Sequence, residues 1–437
     1  MRCQILSSPL KKVFLHHLFL INIHLHNYLQ KFSIFVVIIQ KSIFPSSFES
    51  DMINKGIIHN RRMDMMKKYA LLALLSSTIL VGCNTSATSD KQKKDAAAEK
   101  QQETKKVEAK TVDVPLTQGN ITWEPFAPDA KNTVLYMNNL KDAFKEVQYH
   151  VWRTADGPES KQTFSSHEKE RNFAFPFHLK AFNLKRGEYQ IETTGLKEDG
   201  TQVPLAKSTI TFQQSVPILM YHAIEKYSGP GDGELGLYVP PEQFELHMKY
   251  LKDNGYTLLT FERWNDINRV NKPVFITLDD GRKNNMNALR ILQGLKDDKF
   301  QPAATEFIVA NDMDAPNRLS KDEIKEMAGS GIFSIQSHTS THAMMAFSNN
   351  YDEELRVSKE KIEGVTGKKI IALAYPVGSY NDQAVAETKK HYEFAVTTDH
   401  GNHLTKGTPN EQYLIKRHFV GPKTTIGEFT ALVRERN

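Results

Sequence analysis

The sequence predicts an α/β protein, a parallel sheet either open or closed into a barrel, preceded by a small all-β sandwich domain. Three observations predict it. After Val216, apolar runs of strand length alternate with segments of helical spacing, the pattern of a parallel sheet flanked by helices. Between about Val112 and Gln214, short β-rich runs alternate with turn clusters and no helical period intervenes. The 437 residues are 40% hydrophobic and 24% charged, enough chain and apolar content for two or three domains and too much of both for a disordered or fibrous protein.

Taken in order, residues 1–62 are rich in Ile, Phe, Leu and His and lack an amphipathic period. They precede a complete export signal in 63–83: Met66-Lys67-Lys68, then YALLALLSSTILVG, then Cys83. Leu80-Val81-Gly82-Cys83 resembles a bacterial lipobox, whose cysteine receives a diacylglycerol and becomes the first mature residue. The apolar run is shorter than the ~20 residues a membrane span needs, which disfavours a transmembrane anchor with an incidental cysteine. We therefore expect translation to begin at Met63, Met65 or Met66, with 1–62 an upstream extension and the mature protein lipid-anchored outside the cytoplasm. Residues 84–111 contain no aromatic, Leu or Ile and read as a disordered tether.

Charge supports this division. The formal charge is +5, but residues 1–62 carry eight Lys and Arg against two acids, +6, and residues 63–83 carry two Lys against one acid, +1. The rest sums to 5 − 7 = −2, which removes nucleic acid as a partner. The two cysteines, Cys3 and Cys83, both lie ahead of the expected folded part, so a disulfide scaffold and a cysteine zinc site are excluded there.

The β-rich stretch, 112–214, contains ITWEPF, TVLYM, VQYHVW, NFAFPFHL, YQIETTGL and STITFQ, separated by turns such as TADGPES and KEDG. It holds no cluster of acid, His or Cys. In 215–437 the expected strands are VPILMY, PVFITL, AATEFIVA, IFSIQS, IIALAYP and FAVTT. The expected helices are PEQFELHMKYLKDNG, NALRILQGLKDD, SKDEIKEMAGSG and YDEELRVSKEKIEGVTG, with Ser320 and Glu323 forming a capping-box signature. Reactive groups should then lie at the carboxyl ends of the strands.

Two motifs satisfy that demand. Asp279, Asp280 and Gly281 end the strand PVFITL; adjacent acids there point in different directions, so one can bind a metal while the other stays free as a base. An Asp-Gly turn is the alternative. Strand IFSIQ runs into Ser337-His338-Thr339-Ser340-Thr341-His342, and histidines four apart, on a helical turn or tight loop, can converge with one carboxylate on an ion.

TLDDG and HTSTH, in this order and setting, resemble the first two motifs of the polysaccharide deacetylases, the NodB-homology domain of carbohydrate esterase family 4. AYPVGSYN, Ala374 to Asn381, looks like the third motif, and PILMYHAI with His222 resembles the branch of the poly-N-acetylglucosamine deacetylases IcaB and PgaB. The resemblance covers residues from about 216 to 437. It implies a distorted (β/α) barrel behind a fibronectin-III-like sandwich that acts as spacer or glycan-contacting module. It further implies that Asp280, His338 and His342 bind a divalent metal, zinc first and Co2+ or Ni2+ as alternatives. Asp279 becomes the general base, His222 the general acid, and the backbone of Tyr375, Pro376, Val377 and Gly378 the acetyl and oxyanion site. The substrate would be an N-acetylated glycan, peptidoglycan or poly-N-acetylglucosamine, with a weakly active or inactive glycan-binding lipoprotein as the rival reading.

The chain departs from the family pattern at Leu278, at Arg282, and at Ala374, where many members carry an arginine that restrains the base. Arg417 in LIKRHFV could replace that arginine from the last strand, or form a surface salt bridge. His400, His403 and His418 read as rim or ordinary polar loop residues.

Overall fold

The computed structural model describes residues 118–229 and 235–434, which fall within one compact unit, Glu103–Asn437. The expected extension, signal, Cys83 and tether lie outside the described residues. Among these, no helix is long and apolar enough to cross a membrane.

The amino-terminal part is built of antiparallel strands in two sheets. Strands β1 (Asn120–Trp123), β2 (Asn132–Asn138), β3 (Glu146–Arg153), β4 (Gln162–Ser166), β5 (Phe175–His178), β6 (Gly187–Leu196) and β7 (Gln202–Phe212) arrange as β1-β2-β5 and β4-β3-β6-β7. Every second residue of β3 and β6 is buried. These inner rows, among them Val147, Tyr149, Val151, Tyr189 and Ile191, pack with Leu135, Phe177 and Phe212 into one core. The short strand β4 falls in a stretch with no alternation of apolar residues and was not expected.

The barrel follows directly. Its elements are β8 (Ile218–Tyr221), a two-residue pair β9 (Ala223–Ile224) and β10 (Tyr238–Val239), α1 (Pro241–Asp253), β11 (Thr257–Leu259), β12 (Pro273–Leu278), α2 (Met286–Leu295), β13 (Ala304–Ile308), α3 (Lys321–Gly329), β14 (Phe333–Ser337), α4 (Ser358–Thr366), β15 (Ala372–Ala374), α5 (Asp382–Thr388), β16 (Phe394–His400), β17 (Ile415–Phe419) and α6 (Ile426–Val433). Seven parallel strands close in the order β8-β12-β13-β14-β15-β16-β17-β8, and β11 pairs with the start of β12. A closed barrel is therefore the outcome of the two expected alternatives.

Two apolar clusters share the strands by parity. Val274, Ile276, Leu278, Leu373 and Ala395 pack toward the helices, whereas Phe275, Phe307, Ala372, Val396 and Ile415 fill the inside. The capping box at Ser320 and Glu323 forms as expected. The segment YDEELRVSKEKIEGVTG is helical, but its first turn, Asp352–Val357, is a π-helix.

Candidate metal centre and catalytic groups

The two-residue period of the strands decides which polar groups face the barrel mouth. Phe275 faces inward, so Thr277 and Asp279 continue its row; Arg417 likewise follows inward-facing Ile415 on β17. They meet. Arg417 Nη1 donates to Asp279 Oδ1 at 2.8 Å and Nη2 to Oδ2 at 2.7 Å. Nη1 also donates to Thr277 Oγ1 at 3.0 Å, and Nε to the Thr397 carbonyl at 2.9 Å. The register of β16 against β17 shifts between Val396 and His400, an irregularity beside the site that re-aims the strand.

The alternative of a surface salt bridge for Arg417 is thus corrected, because the two side chains are 0% and 2% exposed. Burial pushes the Asp279 carboxyl up, but the charge and hydrogen bonds of Arg417 outweigh it and hold the group below its ordinary range. The arginine absent at Ala374 is therefore supplied from the other side of the mouth.

Asp280 turns the opposite way. A positive φ of 78° takes its backbone out of the strand, and its Oδ1 lies 3.6 Å from His338 Nε2 and 3.5 Å from His342 Nε2. Ligands about 2.0–2.1 Å from one tetrahedral ion stand ~3.4 Å apart, so this spacing suits a divalent metal. His338 is buried, and its Nδ1–H donates to the Ala374 carbonyl at 2.8 Å, which leaves Nε2 as the lone-pair nitrogen. The peptide at Ala374 thus orients a ligand. Burial lowers the His338 pKa and favours the neutral imidazole that a metal requires. Asp280 is itself desolvated, yet His342, His338, His222 and Arg282 together hold its carboxyl far below the ordinary range.

The departure at Arg282 has a structural role. Its Nε donates to Asp280 Oδ2 at 3.0 Å and its Nη1 to the Tyr238 hydroxyl at 3.2 Å, while Arg318 Nη1 donates to the Asp280 carbonyl at 2.8 Å. One carboxylate oxygen is thereby engaged, and the other faces the imidazoles. Between the histidines the chain forms a tight loop rather than a helical turn, with positive φ at Thr339 (67°) and His342 (59°).

His222 follows β8, partly exposed, with its Nδ1 buried and unpartnered among the described residues. Burial lowers its pKa despite Asp279 and Asp280 nearby. In the third motif Tyr375 and Pro376 are buried, while Val377 is 63% exposed at φ 49°. Gly378 has φ 67°, and a Cβ there would stand 2.0 Å from Thr398 Oγ1, so only glycine fits this turn.

Two expectations about other histidines are corrected. His418 is fully buried on β17, its Nε2 bonded to Asn402 Oδ1 at 2.6 Å, and His403 is buried and paired through its backbone with Val216. Isolated buried polar residues of this kind carry no period in the sequence that separates them from exposed loop residues. Glu306, missed from sequence, is a lone acid in the apolar run AATEFIVA. It accepts from Asn285 Nδ2 at 2.8 Å, and Asn285 Oδ1 accepts the Ile224 N–H at 3.3 Å, so the pair ties β13 to β9 beneath the Asp-Asp-Gly turn. Burial raises the Glu306 carboxyl well above its ordinary value.

Comparison with known proteins places the chain beside named deacetylases. A family profile described as polysaccharide deacetylase matches residues 266–393. YxkH of Bacillus subtilis, which bears a polysaccharide deacetylase name, is 32% identical over 227 residues, covering 50% of this chain and 76% of its own. A poly-beta-1,6-N-acetyl-D-glucosamine N-deacetylase of Staphylococcus aureus is 28% identical over 209 residues, 41% of this chain and 70% of its own. A crystal structure from Bacillus anthracis, also bearing a polysaccharide deacetylase name, superposes with a TM-score of 0.71 at 55% identity, covering 72% of this chain and 100% of that one.

Proposed function

Since this chain belongs to the polysaccharide deacetylase family, we propose that it hydrolyses N-acetyl groups of an N-acetylglucosamine-containing cell-surface polysaccharide, peptidoglycan or poly-N-acetylglucosamine, giving acetate and free amine. One observation carries the reading: two adjacent carboxylates have been given separate partners, Asp279 a buried arginine and Asp280 two imidazoles.

Asp280, His338 and His342 would hold a divalent ion, zinc first and cobalt or nickel as alternatives, which would supply Lewis acidity toward the acetamide and the attacking water. Asp279, kept ionised by Arg417, takes the proton of that water. The turn at Tyr375, Pro376, Val377 and Gly378 offers the Val377 N–H to the oxyanion, since Pro376 has none and the N–H groups of Tyr375 and Gly378 donate to the Val396 and Tyr375 carbonyls. His222 passes a proton to the leaving nitrogen, which departs poorly without one. The rival reading, a glycan-binding lipoprotein of little activity, drew on the alanine at 374, and the Arg417–Asp279 pair removes that support.

In this reading Cys83 carries the lipid and the enzyme faces the cell wall from the outer side of the membrane. Fractionation tests that part: Cys83→Ser should release the protein from the membrane, and unchanged retention would reject it.

Acetate release from peptidoglycan, chitooligosaccharide and poly-N-acetylglucosamine, with and without zinc, tests the reaction. His338→Ala should lose metal, whereas Asp279→Asn should keep metal and lose turnover. Full turnover in Asp279→Asn would reject the base. His222→Ala should slow N-deacetylation on the order of 10²–10⁴-fold while sparing an activated aryl acetate, whose phenolate departs unaided. Equal loss on both substrates would reject the acid.

A further inference from the structure

The loop between the two histidines is strained, and something must hold it. Non-glycine residues at positive φ are strained, and they persist only where the surroundings over-determine them. Here Thr339 and His342 both adopt positive φ, 67° and 59°, within four residues. Such a change of backbone sign turns successive N–H groups toward one point, a concavity that suits an anion.

That concavity is filled by a carboxylate from elsewhere in the chain. Glu354 Oε2 accepts the N–H of Ser340 at 3.0 Å and of Thr341 at 2.9 Å, and Oε1 accepts the Thr341 hydroxyl at 2.6 Å. Glu354 is 5% exposed. Its neighbour Glu353 takes the Ser340 hydroxyl at 2.8 Å. Consecutive residues on an α-helix point about 100° apart, so two adjacent acids seldom reach one loop. The exception is explained by the π-helical turn at Asp352–Val357, whose wider winding brings both onto the loop.

We infer that Glu354 is a positioning residue of the metal centre: its carboxylate, delivered by the π-turn, holds the His338–His342 loop in the conformation in which both imidazoles meet Asp280. The inference rests on the reading of Asp280, His338 and His342 as metal ligands. It concerns affinity for the ion rather than the reaction. Among the described residues the Glu354 carboxylate is hydrogen-bonded to Ser340 and Thr341 and to neither imidazole, so its effect is transmitted through the two peptides between them.

The test measures zinc affinity of the purified chain by competition with a chromophoric chelator, together with thermal melting of the metal-free protein. Glu354→Ala should weaken zinc binding about 10–100-fold, the range for groups that orient ligands. Glu354→Gln keeps the shape but presents one amide oxygen to three donors, and should fall between Ala and the parent. Should the alanine variant fail to fold, the glutamine variant carries the test. Ile362→Val is the structural control. It trims a fully buried side chain on α4, the helix that continues the π-turn, and has no polar group with which to bond the loop, so it should lower the melting temperature and leave zinc affinity unchanged. Parent-like zinc affinity in folded Glu354→Gln, or an equal loss in Ile362→Val, overturns the inference and leaves the metal reading standing. A parent chain that takes up no zinc overturns both.

Discussion

Arg417 and Asp279 form a buried, two-point ion pair, and its energetics are asymmetric. Breaking such a pair from one side leaves a charge without water or partner, at about 3–5 kcal/mol. Arg417→Met should therefore lose stability on that scale in urea unfolding. Pairing it with Asp279→Asn should restore much of the loss while leaving the enzyme inactive. A single variant as stable as the parent would show that the pair carries no uncompensated charge. The sequence allowed this contact without selecting it: Arg417 lies 138 residues from Asp279, and only closure of the barrel brings the last strand beside β8, which itself pairs with β12. The candidate metal set, Asp280, His338 and His342, was more legible, because both histidines share one loop and Asp280 ends a recognisable strand.

At the scale of elements, helices α1 and α6 meet through His247, whose ring stacks on Phe429 at 4.1 Å and 2° while Tyr221 Oη lies 3.1 Å from its Nδ1. Burial pushes this imidazole from 6.5 down to about 4. The native state thus disfavours the proton that the unfolded chain binds below 6.5, so stability is fully present above that pH and is lost as pH falls toward 4. His247→Phe should flatten the unfolding free energy across this window. An unchanged acid slope would place its origin elsewhere. At α3, Ser320→Ala removes the acceptor of the Glu323 N–H at 3.2 Å and should cost about 1 kcal/mol in denaturant unfolding; no measurable change would mean that the cap is dispensable here. That cap was legible because its chemistry is local. Strand β11, three residues long, is too short to show alternation. The π-turn is written in ordinary helix formers, DEELRV, and nothing in that composition distinguishes it from α-helix.

At the scale of the whole molecule, the sandwich is bonded to the barrel rather than strung before it. Arg153, 1% exposed, donates to the Arg186 carbonyl at 2.7 Å on its own side and to Asn271 Oδ1 at 3.0 Å and the Val270 carbonyl at 3.3 Å across the boundary. Gln214 donates to the Val270 carbonyl at 3.1 Å, and the Glu188 N–H to the Asn268 carbonyl at 2.7 Å. Removing Arg153 strands several buried acceptors at about 1–3 kcal/mol each. The parent should melt in one calorimetric transition and Arg153→Ala in two; a single unshifted transition would show that the contacts do not couple the parts. The segment bonded by Arg153, Gln214 and Glu188 precedes β12, so it lies at the amino ends of the strands, the pole away from Asp279 and Arg417. A docked base of this kind sets aim as well as distance. A glycan strand drawn taut across the open pole would load one stiff body instead of flexing a hinge, and each successive sugar would meet the same angle of approach however the strand is tensioned.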